Sequence, residues 1–307
     1  MQLAFAPRLQ KHAPPLLIAK CTYRTTLGLI SIFLLNTSLF FYYKLNFMSE
    51  SNRTLSPDKQ YSLKKILFIW IASALPMAIL AFVITPALIP LIDLPPLIIY
   101  WFAINIGLIW QFVLSIIILK KDGFTISWSS VKERLWFQKP QDPRTGKSSN
   151  WFFLWVIPFI LLNAVVSSGI GFPDLDRITR PLIKNIPQYD LSKLSTSEFK
   201  GEWWILGVFI LTMIFNYFLG EELLYRGILL PKMNGVFGKW DWFANGVLFG
   251  FYHLHKPQII ISTAIIFGII FAYPAKRFKS TWMAVIIHGL EGLLGLVIVL
   301  KVISGST

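Results

Sequence analysis

Residues 97–119 read LIIYWFAINIGLIWQFVLSIIIL, which is 23 positions without an Asp, Glu, Lys, Arg or His. A helix of about 20 apolar residues is long enough to cross the hydrocarbon core of a bilayer. Helices are the expected spanning form because each one satisfies its own backbone hydrogen bonds in lipid. This stretch therefore predicts a transmembrane helix.

Similar apolar runs recur along the chain and predict an all-α fold, a polytopic transmembrane helical bundle with about seven to eight membrane spans. The spans are expected at 25–43, 66–90, 97–119, 151–171, 203–220, 242–255, 258–274 and 281–299. A helix from Gly220 to about Leu230 is expected to continue the fifth span. Ser127–Phe137 predicts a short amphipathic helix at the membrane surface. Three prolines predict kinks or an early end in the second span: Pro76, Pro86 and Pro90.

The composition of the 307 residues agrees with this fold. Hydrophobic residues make up 55% of the chain and charged residues 14%, with a mean hydropathy of +0.60. Soluble domains carry about 25% charged residues, so this chain has too little charge to cover a soluble surface.

The net charge of +14 lies in loops between apolar runs, without a basic stripe interleaved with aromatics. No nucleic-acid partner is therefore expected. The only cysteine, Cys21, excludes an internal disulfide framework and a multi-cysteine metal site.

Basic residues are divided unevenly between the loops. If residues 48–65 lie on the inner side of the membrane, the segments on that side hold 16 Lys and Arg. The segments on the outer side then hold 7. This distribution obeys the positive-inside rule. A first span with its basic start inside would invert every later loop and break the rule. The sequence therefore favours a seven-span body that begins near Met48.

The chain is predicted to contain three regions. Residues 1–47 form an N-terminal segment that is a targeting segment, an extension or an extra span, and these alternatives stay open. Residues 48–202 carry the N-terminal transmembrane helices, with a basic loop at 120–150. Residues 203–300 form a core in which polar side chains are concentrated.

Ionisable residues are absent from the spans 66–90, 97–119 and 151–171 but frequent from Gly220 onward. An ionisable side chain costs at least about 2.5–3.5 kcal/mol at the centre of a membrane helix, so it usually faces a cavity or a partner. The apolar helices of the core hold seven of them: Glu221, Glu222, Arg226, His253, His255, His288 and Glu291. Such a cluster predicts a functional site.

Glu222 and Arg226 stand four residues apart, so in a regular helix they share a face and can pair. Glu221 points about 100° away on the same helix. One carboxylate is then neutralised by the arginine while its neighbour stays free for proton chemistry. The alternative is an ordinary ion pair at the interfacial end of a helix.

The histidines are accompanied by small residues. Gly246 and Gly250 lie on the helix face of His253 and allow another helix to approach closely. His255 stands about 200° around the helix from His253 and is expected at the membrane surface. Small residues are expected to open space beside His288 on a face that also carries Glu291: Ala284, Gly292 and Gly295.

These side chains are suited to the activation of water. A carboxylate and an imidazole that share a water can deprotonate it for attack on a carbonyl, while a further histidine donates to the oxyanion. Alternatively, Glu221, His253 and His288 together bind zinc and leave one position open for water. The sequential zinc motif His-Glu-x-x-His is absent, so such a site would have to be assembled across helices. Metal-assisted and metal-free attack both stay open.

Between about Trp203 and Leu300, the chain resembles the CPBP family of intramembrane metalloproteases, which includes the CAAX prenyl proteases and the bacteriocin-processing (Abi) proteins. The family pattern is Glu-Glu-x-x-x-Arg, then Phe-x-x-x-His, then His-x-x-x-Asn/Asp. Glu221-Glu222-x-x-x-Arg226 and Phe249-x-x-x-His253 match the first two motifs in full. The third motif keeps His288, but Gly292 stands in the place of the polar residue.

The resemblance implies that Glu221 activates water with His253 as its partner. Glu222 and Arg226 would hold the geometry, and His288 would face the oxyanion. The implied function is a membrane-embedded endopeptidase in the plasma membrane or an organelle membrane. Its partners would be the lipid bilayer and membrane-associated, lipid-modified or leader-bearing peptides.

Two other functions stay open at this point. A catalytically inactive CPBP-like membrane scaffold or bacteriocin-immunity protein is suggested by Gly292. A transporter would use the buried carboxylates as a proton relay. Transporters commonly show internal repeats, and this sequence shows none.

Overall fold

A computed structural model describes residues 59–125, 127–168 and 199–305, all within one compact unit that spans residues 54–307. The described residues contain no strand and form eight helices of eight residues or more. We number them α1 Leu63–Leu88, α2 Pro96–Lys121, α3 Trp128–Leu135, α4 Asn150–Ser167, α5 Trp204–Lys232, α6 Asp241–Tyr252, α7 Ile265–Arg277 and α8 Thr281–Ser304. The predicted all-α bundle is confirmed.

Five of these helices, α1, α2, α4, α5 and α8, are long and apolar enough to cross a membrane. Helices α6 and α7 are shorter, with 12 and 13 residues, and correspond to the predicted spans 242–255 and 258–274. A helix therefore lies within each predicted span of the seven-span body, five of these helices are long enough to cross, and the chain is an integral membrane protein. That all seven cross stays a prediction. The predicted span 25–43 and the segment 1–47 lie outside the described residues. The predicted division near residue 203 stays a prediction.

Helices α1 and α5 depart from regular α-helical geometry. In α1, Leu80–Ile84 form a π-helical turn shortly after Pro76, and the helix ends at Leu88 instead of the expected residue 90. In α5, π-helical segments at Phe215–Leu219 and Leu223–Leu229 lie on either side of Gly220. The predicted continuation of the fifth span is confirmed, but its local geometry is not that of a regular α-helix. π-Helical turns occur frequently at functional sites.

The basic segments meet at one end of the bundle, which we call the basic end. The Tyr61 amide donates to the Lys232 carbonyl, and the Thr281 amide donates to the Trp136 carbonyl. The first bond joins the segment before α1 to the end of α5. The second joins the segment after α3 to the start of α8. The charge count placed the same segments together on the inside. The predicted helix at Ser127–Phe137 is present as α3, with the Ser127 hydroxyl capping its first turn.

Asp122, directly after α2, joins the start of α1 to α3 at the basic end. It forms ion pairs with Lys65 at 2.5 Å and with Arg134 at 3.5 Å, and it accepts a hydrogen bond from the Tyr61 hydroxyl. Burial raises the pKa of Tyr61, so its hydroxyl stays protonated and can donate. The cluster fixes α3 against the ends of α1 and α2.

Glycines allow α6 and α7 to pack in close contact. A Cβ atom at Gly246 would lie 2.6 Å from the Ile269 amide nitrogen, and one at Gly250 would lie 2.7 Å from the Ile265 Cα. Both distances are too short for any side chain. The predicted close approach is confirmed, and it brings α7 against the part of α6 that precedes His253.

Candidate active site

Arg226 lies fully buried where α5, α6 and α7 meet. Its guanidinium donates to Oε1 of Glu222 at 3.1 Å and to the Gly268 carbonyl at 3.1 Å. The guanidinium carbon lies 4.1 Å from the centroid of the Phe249 ring. A buried charge is tolerated only when such partners surround it, and the ring face adds a cation–π contact. The predicted Glu222–Arg226 pair is present, although the local backbone is π-helical.

His288 of α8 contacts the same carboxylate oxygen. Its Nδ1 lies 2.9 Å from Oε1 of Glu222, at a distance at which the imidazole donates a hydrogen bond. The His288 ring stacks on Phe271 with centroids 4.6 Å apart and meets the edge of Tyr217 at 4.7 Å. Glu222 therefore connects α5 to α8, and two aromatic rings fix the orientation of the imidazole.

Glu221 has different partners although it is the next residue. Only 2% of it is exposed, and its carboxylate lies near the Tyr252 hydroxyl. Gln111 of α2 donates to the same hydroxyl at 2.6 Å. Oε2 of Glu221 has no hydrogen-bond partner within the described part of the chain. This oxygen can accept a hydrogen bond from a water molecule or a substrate.

His253 lies directly after α6, next to the residue that contacts Glu221. Its Nδ1 lies 3.0 Å from the Phe249 carbonyl, and its ring meets the Tyr252 ring with centroids 4.9 Å apart. Tyr252 thus lies near both His253 and Glu221. No direct hydrogen bond between the two site residues occurs among the described contacts.

The expected direction of His255 is wrong. The helical spacing places it about 200° from His253, but its ring stacks on that of His253 at 5.4 Å and it is 5% exposed. Its place at the membrane surface stays a prediction. The physical reason is the backbone, because residues His253–His255 form a 3₁₀ turn and not a continuation of α6. The angle of about 100° per residue does not hold in such a turn.

The expected open space beside His288 is also absent. A Cβ atom at Gly292 would lie 2.6 Å from Cε2 of Tyr217, and one at Gly295 would lie 2.9 Å from Cε2 of Phe209. Aromatic side chains of α5 therefore fill the volume that the glycines leave. Gly292 permits the Tyr217 ring to rest against α8 next to His288.

Asn163 of α4 is part of the same polar chain, and sequence reasoning missed it. Its Nδ2 donates to Oε1 of Glu291 at 2.7 Å, while Oε2 of Glu291 lies 4.0 Å from Nε2 of His288. Gln111 and Tyr252 were missed as well. The available signal was an amide within an otherwise apolar span, as at positions 111 and 163.

Zinc binding by Glu221, His253 and His288 stays a prediction. Across residues 59–125, 127–168 and 199–305, no three His, Cys, Asp or Glu side chains are grouped so that they could hold a metal ion. Nδ1 of His288 contacts Glu222, and Nδ1 of His253 contacts the Phe249 carbonyl. A metal would require these side chains to rearrange, so the residues as placed do not fit one.

Comparisons with known proteins concern the same part of the chain. Residues 202–294 match the family model described as type II CAAX prenyl endopeptidase Rce1-like. The matched segment contains α5, α6, α7 and the first half of α8, and so all five predicted catalytic residues. Comparisons with curated proteins and with solved structures found no match. Over residues 202–294, this chain is therefore similar to the Rce1-like family of type II CAAX prenyl endopeptidases.

Proposed function

We propose that this chain is a membrane-embedded endopeptidase that uses Glu221 to activate water. The observation that carries the proposal is the unequal environment of two adjacent buried carboxylates. Oε1 of Glu222 is held by both Arg226 and His288, whereas neither of these basic side chains forms an ion pair with Glu221 among the described contacts; Oε2 of each glutamate has no hydrogen-bond partner within the described residues. A base must have a free oxygen within hydrogen-bond reach of the proton that it removes.

The proposed reaction adds water across a peptide bond. Glu221 removes a proton from a bound water, and the resulting hydroxide attacks the carbonyl carbon of the substrate. The proton then passes to the amide nitrogen as the carbon–nitrogen bond breaks, which releases a carboxylate and an amine. His253 orients the water, and His288 stabilises the charge on the carbonyl oxygen. Glu222 and Arg226 hold His288 and α7 in place.

The proposed substrate is a membrane-associated peptide, including lipid-modified and leader-bearing peptides. This proposal is supported by the burial of the site within apolar helices and by the matched family model. A peptide bond that reaches Glu221 must pass apolar side chains, so a segment already held at the membrane is favoured over a freely soluble one. We propose the plasma membrane as the host, with an organelle membrane as the alternative.

The test is an isosteric substitution, Glu221→Gln, in protein reconstituted into liposomes with a lipid-modified reporter peptide. We expect cleavage to fall at least about a hundredfold, because the amide cannot accept the proton. Glu133→Gln on α3, which changes an exposed carboxylate in the same way, should cleave at the rate of the unmodified protein. Unchanged cleavage by Glu221→Gln would overturn the proposal.

A second function, the inactive membrane scaffold or immunity protein, is favoured by one observation. The Tyr217 ring occupies the space beside Gly292, where the resemblance led us to expect a polar side chain. If this function is the right one, the Glu221→Gln variant retains the protein's function in cells. The Gly250→Leu variant, in which α6 is forced away from α7, loses that function.

A further inference from the structure

A groove opens at the basic end, between α3 and the first turns of α4 and α8. Its volume is about 610 Å³. Sites for small molecules typically measure about 300–1,000 Å³. None of the residues that line the groove belongs to the buried carboxylate site, so the proposed hydrolysis does not account for it. We call it the α3 groove.

The floor of the α3 groove is apolar and largely aromatic. Phe137 and Trp282 meet edge to face with ring centroids 5.2 Å apart. Phe153 of α4 and Ile286 of α8 extend this floor along the two helices. Next to it, the first turn of α4 presents Trp151 with 78% of its surface exposed. Tryptophan is enriched at the level of the lipid headgroups, so the floor continues into the interfacial region of the bilayer.

The rim of the α3 groove is cationic. Lys132 and Lys139 line it, and the Lys132 ammonium lies 5.2 Å from the centroid of the Trp128 ring. Gln138 donates to the Lys279 carbonyl, which brings the basic turn between α7 and α8 to the same rim. No acidic residue occurs among the described residues that line the groove. An occupant with a negative charge is therefore favoured.

We propose that the α3 groove binds an anionic phospholipid. Its phosphate lies between Lys132 and Lys139, and an acyl chain follows Phe153 and Ile286 into the bilayer. A soluble anion would make no use of the aromatic floor, and a zwitterionic lipid would gain little from the two ammonium groups. Basic pockets between membrane helices on the cytoplasmic side are suited to anionic headgroups. The charge distribution of this chain places the basic end on that side.

The cationic rim and the apolar floor of the groove recognise different features of the lipid. The lysines attract the headgroup by charge alone, so their contribution falls with ionic strength. The floor distinguishes a lipid from any soluble phosphate. Phe137 also meets Phe218 of α5 with centroids 5.5 Å apart, so an occupied groove would pack against the helix that carries Glu221.

The test compares two double variants of the full chain in nanodiscs. Lys132→Gln/Lys139→Gln removes the rim charges. Lys59→Gln/Lys239→Gln removes two exposed charges from the same end, and Lys239 lies over Trp240 at 5.7 Å much as Lys132 lies over Trp128. We expect the first variant to bind fluorescent phosphatidylglycerol about tenfold more weakly, and the second to bind it as the unmodified chain does.

Two further measurements identify the occupant. Glycerol phosphate should fail to displace the bound lipid, and Phe153→Ser should weaken lipid binding in protein that circular dichroism shows to be folded. Equal losses in both double variants would reduce the effect to general surface charge and overturn the proposal. Displacement by millimolar glycerol phosphate would assign a phosphate site instead of a lipid site, which also overturns it. None of these outcomes depends on peptidase activity.

Discussion

Glu221 and Glu222 are neighbours in sequence and both are buried, yet one arginine gives them different surroundings. Of the two carboxylates, the guanidinium of Arg226 contacts only that of Glu222, at 3.1 Å, and the same oxygen accepts from His288 at 2.9 Å. Charge–charge interactions weaken with distance and are strong where water is excluded. The arginine therefore offsets the charge of the carboxylate that it touches much more than that of the next one. The flat guanidinium also fits the Phe249 ring and the Gly268 carbonyl at once, which a lysine cannot do.

Asn163 is expected to position the site from α4. Asn163→Ala removes the hydrogen bond of 2.7 Å to Glu291 and leaves the Glu222–His288 contact in place. One such bond to a charged group is worth about 1.5–3 kcal/mol, so we expect kcat to fall about tenfold or more with KM little changed. Steady-state kinetics on the reporter peptide would measure both constants.

A double-mutant cycle separates positioning from a general structural effect. In a Glu291→Gln background, the further change Asn163→Ala should have a clearly smaller effect on kcat, because the charged partner is already gone. An equal fall in kcat in both backgrounds would show that the Asn163–Glu291 contact does not act on the reaction.

At the scale of helices, the contact between α6 and α7 supports the site. Gly268, whose carbonyl accepts from Arg226, packs against Gly246 of α6. Phe249 of α6 lies under the guanidinium, and Phe271 of α7 stacks on His288. A small separation of the two helices would therefore disturb both the arginine and the histidine.

Gly250→Ala is expected to destabilise the protein through this contact. The added Cβ would lie 2.7 Å from the Ile265 Cα, which is backbone and cannot move aside alone. Overpacking of this kind costs about 1–3 kcal/mol. Gly207→Ala on α5 is the matched control, because its Cβ would meet no atom within 4 Å. It should leave stability unchanged or raise it slightly. Thermal unfolding in detergent would compare the two, and equal transition temperatures would contradict the packing argument.

For the whole molecule, the sequence predicted the site residues whose burial is energetically costly. It missed those whose burial costs little. Glu221, Arg226 and His288 stand out because ionisable groups in apolar helices require partners. Asn163 was missed because a neutral amide is common enough in membrane helices to pass as ordinary packing. The burial of His255 was missed for another reason. Its direction depends on a 3₁₀ turn that helical periodicity does not describe.

The orientation of the whole bundle follows from its charge and can be measured. The segments with 16 of the loop Lys and Arg are predicted inside, and the structure joins them at the basic end. In a Cys21→Ser background, Lys239→Cys marks this end and Lys301→Cys marks the end of α8. An impermeant maleimide should label Lys301→Cys on intact cells, but should label Lys239→Cys only after the membrane is opened. The positive-inside rule gives this direction because basic loops resist transfer across the membrane. The reverse labelling pattern would place the α3 groove on the outer surface, away from the leaflet rich in anionic lipid.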